Sequence, residues 1–140
     1  MQDRPTAVEL LEAAADFVER EVLPATKGRV QFQSRVVANV MRIVAREIQL
    51  EDRSLRAEVK ALARLLAEPD PHLHGLDDLQ KASHQLGDKL SAKIRAGEAD
   101  NGAWREQVLF VVRQSVEDKL KIANPRYLEN DLRIRKTSKG

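Results

Sequence analysis

The sequence predicts an all-α fold: an up-down bundle of four to five helices around a central, buried helix two. Three observations lead there. Apolar residues recur at steps of three and four along most of the chain. No run alternates apolar and polar residues with β-branched enrichment, so no sheet is expected. Aromatics are only 4% while hydrophobic residues are 42%, so the core must be built from Leu, Val, Ile and Ala, which suits helix packing.

Helix one is expected from about Ala7 to Leu23. Thr6 with Glu9 three residues on is a capping box, in which each side chain satisfies an orphan amide. Leu11, Ala14, Val18 and Val22 share one face, which Leu10 and Phe17 widen. Pro24 is expected to end the helix, with Gly28 in the turn. Helix two is expected from about Val30 to Leu50. At 100° per residue, Phe32, Val36, Val37, Val40, Met41, Ile43, Val44 and Ile48 cover about half of its circumference. Ser34, Ala38 and Ala45 fill a further small-residue arc. A helix apolar on so many sides is expected to be contacted on several of them, which places it at the centre.

Helix three is expected from about Ser54 to Ala67, with Leu55, Val59, Leu62 and Leu66 on one face. Pro69 and Pro71 break the chain there. Helix four is expected from about Leu76 to Ala96, with a seam of Leu76, Leu79, Ser83, Leu86, Leu90 and Ile94. Asp77 and Asp78 favour its N-terminus through the helix dipole. Helix five is expected from about Ala103 to Ile122, with Trp104, Val108, Val111, Val112, Val116 and Leu120 largely inward. Asn124 precedes Pro125 and is thereby biased away from helix, so the helix should stop there.

The 140 residues fit one domain, expected over residues 1–128, with a mobile basic tail over 129–140. Net charge is +2, and the tail from Arg126 carries five Lys/Arg against two Asp/Glu. So small a net charge does not point to nucleic acid, and beyond Tyr127 the tail has no aromatic for base stacking. The absence of cysteine excludes disulfides, thiolate metal sites and a thiol nucleophile, and fits a cytoplasmic protein. No stretch approaches the ~18 unbroken apolar residues of a membrane span.

No phosphate-binding glycine loop, nucleophile elbow, zinc-protease or kinase motif is present, so an enzyme is not the favoured reading and no cofactor is expected. His72-Leu73-His74 after Asp70 offers two imidazoles where a closed metal site needs about four ligands, and reads as a polar turn. A sharper candidate is the stripe Arg35, Asn39, Arg42 and Arg46 on helix two, which falls within about 60° of arc and contains no carboxylate. Guanidinium forks match phosphate or carboxylate, so the stripe is an anion receptor in principle. The competing expectation is that glutamates of helix one, such as Glu12 or Glu19, pair with it. Glu47 falls on the apolar arc, where an arginine or a buried amide is expected to meet it. Asn124, Arg126 and Tyr127 form a last candidate. They close the final helix either as a stop with Tyr127 folded over the core or as a recognition edge.

Four stretches carry a resemblance. They are Asp3-Arg4-Pro5-Thr6 leading into Glu9-Leu10-Leu11-Glu12; Arg29 to Leu50 around Arg35-Val36-Val37-Ala38-Asn39-Val40; Ile94-Arg95-Ala96-Gly97-Glu98; and Asp118-Lys119-Leu120 with Asn124-Pro125-Arg126-Tyr127. Over about residues 3–128 the chain resembles a bacterial family of small helical domains of unknown function. Its members are often encoded beside aminoglycoside-phosphotransferase-like kinases and acyl-CoA dehydrogenases. The resemblance implies no catalytic residue. It implies a non-catalytic accessory domain docking on a kinase-like or acyl-CoA dehydrogenase-like enzyme, with a homodimer as a further expectation from the wide apolar faces. The alternative is a bundle that binds an anionic metabolite, of CoA type or phosphorylated, through the arginines of helix two.

Overall fold

The computed structural model describes residues 4–71 and 73–130. All regular structure among them is helical, as the periodicity predicts: α1 (Ala7–Phe17), a π-helical stretch (Val18–Val22), α2 (Leu23–Ala25), α3 (Gly28–Leu65), α4 (Leu76–Arg95) and α5 (Gly102–Ala123). Residues 125–130 form one further helical segment, opened by Pro125, whose missing amide removes no helix bond at a first position. The remainder of the predicted basic tail, from residue 131, lies outside the described residues. Contacts divide the chain into two compact units. The first holds residues up to Glu51 together with Ile122–Pro125; the second holds Asp52–Lys121 and the described residues from Arg126 on.

In the first unit the capping box forms as predicted: the Glu9 amide donates to Thr6 Oγ1 at 3.2 Å and the Thr6 amide to Glu9 Oε2 at 2.7 Å. The helical path then runs past the predicted stop and ends at Ala25. Proline lacks an amide and crowds the carbonyl four residues back, so Pro24 cannot sit in an undistorted turn. The wider π turn before it relieves the conflict, with the Leu23 amide bonding Val18 O. Two side chains take up carbonyls left over at this end. Thr26 Oγ1 donates to Val22 O at 2.8 Å, and Gln31 Nε2 donates to Leu23 O at 3.1 Å.

Predicted helices two and three are one helix of 38 residues. The polar run Glu51-Asp52-Arg53-Ser54 resembles a break, yet it holds neither Gly nor Pro. Arg56 bonds Asp52 one turn back through two nitrogens, at 2.8 and 3.0 Å, which favours helix across it. A second correction concerns which side of this helix is covered. Among the described residues of the first unit the buried side chains are Ala15, Ala38 and Ala45. Ala38 and Ala45 of the small-residue arc face inward, and most of the apolar arc expected to be central is turned to solvent, while Met41, Ile43 and Val44 are half-buried. Phe32 is 62% exposed, and Val30, Val36, Val37, Val40 and Ile48 are exposed as well. Alanines let two helix backbones approach closely, which accounts for their choice as the inward side.

The second unit has a full core. Val59, Leu62 and Ala63 of α3, Leu79, Leu86 and Leu90 of α4, and Val108 of α5 are buried together, with Leu55, Leu66, Leu73, Trp104 and Val111 packed against them. Most of the predicted faces of helices three, four and five are thus the ones buried. Trp104 donates its Nε1 hydrogen to Leu65 O at 3.2 Å, so its polar edge is satisfied at the end of α3.

Both α3 and α4 close with the paired bonds of a Schellman turn. Glu98 N–H reaches Lys93 O and Gly97 N–H reaches Ile94 O after α4; Glu68 N–H reaches Ala63 O and Ala67 N–H reaches Arg64 O after α3. The left-handed residue is Gly97 in the first case but Ala67, at φ 54°, in the second. An alanine there costs about 1–2 kcal/mol relative to the right-handed region. Ala67→Gly is therefore expected to raise the stability of the second unit by roughly 0.5–1 kcal/mol, read as a higher thermal midpoint. An unchanged or lowered midpoint would contradict that strain.

Candidate functional site

The arginine stripe lies on the N-terminal half of α3, in the first unit. Two of its members are engaged by separate partners. Arg42 is wrapped by α1: its Nε reaches Glu19 Oε1 at 3.2 Å, and one terminal nitrogen reaches Glu19 Oε2 at 2.6 Å and Asp16 Oδ1 at 2.8 Å. Arg20 stands 3.7 Å from the other oxygen of Asp16. The bond from Arg42 holds the Asp16 carboxyl below its ordinary value against a small opposing effect of burial. In return the two carboxylates raise the Arg42 guanidinium further above its ordinary value. With Arg20 counted, two guanidiniums are balanced by two carboxylates, so an incoming anion must displace the carboxylates that already hold Arg42. Glu19 is one of the partners expected from helix one. Asp16, one turn earlier, joins it, and Glu12 is exposed.

Arg46 is engaged differently. Its Nε donates to Ile122 O at 2.7 Å, near the end of α5, where helix carbonyls lack intrahelical donors. Arg35 and Asn39 are exposed. Glu47 is exposed too, and neither an arginine nor an amide meets it among the described residues. The apolar arc that carries it faces water, so its charge is not desolvated and needs no partner. Asn124, of the first unit, and Arg126 and Tyr127, of the second, are exposed. At 60% exposure Tyr127 does not fold over the core.

The second unit holds a polar centre that the motif search missed. Glu58 projects from α3 with only 13% of its side chain exposed. Ser83 of α4 donates to its Oε2 at 2.8 Å, Ser115 of α5 donates to its Oε1, and Lys119 of α5 stands 3.3 Å from Oε1. Burial pushes the carboxyl up, but the hydroxyls of Ser115 and Ser83 and the ammonium of Lys119 outweigh it and hold the group below its ordinary value. The carboxylate therefore stays charged at neutral pH and joins three helices. That geometry places it to fasten the three helices together. One signal for it stood in the sequence: Ser83 interrupts the leucine seam of α4, and a hydroxyl in a seam needs a partner.

Among the described residues no three His, Asp or Glu side chains are grouped to hold a metal ion, and no helix is long and apolar enough to cross a membrane. His72 of the polar turn lies outside the described residues.

The remaining feature is exposed apolar surface on α5. Leu109, Val112 and Val116 share one side of that helix at steps of three and four and are all exposed. Val112 and Val116 were expected inward, yet the inward side is taken by Trp104, Val108 and Val111. Phe110 is 70% exposed.

Packed leucine seams, charge clasps and uncovered apolar stripes together define an all-α domain. Residues 24–127 match the model of a family described as a domain of unknown function, DUF6285, and the chain belongs to that family. No curated protein and no solved structure matches it. The family match agrees with the sequence resemblance to helical domains of unknown function.

Proposed function

We propose that this chain is a non-catalytic interaction domain that docks on a metabolic enzyme through α5. The observation that carries the reading is the solvent-facing seam of Leu109, Val112 and Val116 in a unit whose core is already complete. Residues spaced i, i+3 and i+7 on one helix are the anchor pattern by which a helix enters a partner's apolar groove. Large exposed apolar groups grouped in this way mark interaction surfaces more often than scattered ones do. The class of partner comes from the sequence resemblance: a small-molecule kinase-like protein or an acyl-CoA dehydrogenase-like enzyme.

Co-expression with a small-molecule kinase-like protein and with an acyl-CoA dehydrogenase-like enzyme, followed by co-elution, tests the reading. A stoichiometric complex is expected with one of them. The double variant Leu109→Asp/Val116→Asp should weaken it by at least ~100-fold, because each change places a charge in a desolvated anchor site. Both positions are exposed in the free chain, so helicity should be unchanged. Absence of a complex with either enzyme, or one indifferent to the double variant, would remove the reading.

A further inference from the structure

The first unit lacks what the second has: among its described residues the buried side chains are three alanines, and none is large. Helices gain stability chiefly by burying an apolar face, so a further layer is needed over the exposed side of α3. That side carries a seam at steps of four and three: Arg29, Gln33, Val36, Val40, Ile43 and Glu47. The seam is symmetric about position 38. Reversed on itself it sets Val36 against Val40, Gln33 against Ile43, and Arg29 against Glu47. Phe32, on the flank, then falls beside Val44.

We infer that this face is covered by a second copy of the chain, with the N-terminal halves of two α3 helices packed antiparallel about a two-fold axis near residue 38. Two observations select that occupant. A two-fold contact requires a self-complementary surface, and the reversed seam supplies one. Arg29 and Glu47 lie ~27 Å apart along one helix, too far to pair within a copy, yet they meet at both ends of the antiparallel arrangement. A parallel arrangement would oppose Arg29 to Arg29 and Glu47 to Glu47, so the charges select direction. The seam is also open in the single copy, where Phe32, Val36 and Val40 are 62%, 41% and 49% exposed. This contact is independent of the α5 surface proposed above.

The test is sedimentation of the full chain at ~50 µM, above the weak end of standard-size interfaces. The natural sequence should run as a dimer. Val40→Asp should run as a monomer with unchanged helical circular dichroism, since Val40 is exposed in a single copy. Arg29→Glu and Glu47→Arg should each raise the dissociation constant about tenfold, because each spoils two symmetric pairs. The double exchange should restore it to within about threefold of the natural value, the usual scatter of exposed charge pairs. A monomeric natural chain, a dimer indifferent to Val40→Asp but broken by Val116→Asp, or a double exchange no better than the singles would each overturn the proposal.

Discussion

Leu79→Ala is expected to destabilise the second unit by about 3–5 kcal/mol. Leu79 sits on α4 with 2% of its surface exposed, in the cluster with Leu62, Leu86 and Val108. Truncation removes the transfer energy of the lost atoms and leaves a cavity that helices from three parts of the chain cannot collapse without breaking their other contacts. Trp104 is the only tryptophan and packs against the same cluster, so its fluorescence reports on this unit. A denaturant midpoint that falls at constant slope would give the loss. A cost below ~1 kcal/mol would mean that the seam of α4 is not the packing element assigned to it.

Glu58→Ala is expected to cost about 3 kcal/mol at neutral pH, because the hydroxyls of Ser83 and Ser115 lose a charged acceptor in a largely covered site. Glu58→Gln keeps the shape and one acceptor oxygen and should cost about half as much. The pH dependence separates charge from shape. The folded carboxyl is held below its ordinary value of 4.5. A group so lowered contributes stability that is complete above the unfolded value and is lost as pH falls through the folded one. The gap between the natural chain and Glu58→Gln should therefore be widest at neutral pH and narrow on acidification below about 4.5, near the ordinary glutamate value. Parallel acid limbs in the two proteins would refute the charged clasp.

Much of this molecule was legible beforehand. The capping box at Thr6 and Glu9, the seam of α4 and the stop before Pro125 are local features set by spacing and backbone chemistry. The continuity of α3 was not legible, because a polar run reads alike as a loop and as an exposed helical turn. Only the bidentate contact of Arg56 with Asp52 distinguishes the two. For the arginine stripe, spacing placed four residues on one face but could not choose their partners. Glu19 was among the glutamates expected to pair. Asp16 and the carbonyl of Ile122 were not foreseen, since neither backbone acceptors nor distant chain segments appear in a helical wheel.

The sequence by itself determined that the chain is helical and where most of its helices begin and end, because caps, breakers and periodicity act within a few residues. Only the tertiary structure decided which side of α3 is covered. A helix apolar over half its circumference and lined with alanines elsewhere can turn either arc inward. Burial of methyl groups favours the valines, while close approach of backbones favours the alanines. In the first unit Ala15, Ala38 and Ala45 are the inward side, and the apolar arc of α3 is left uncovered in the single chain.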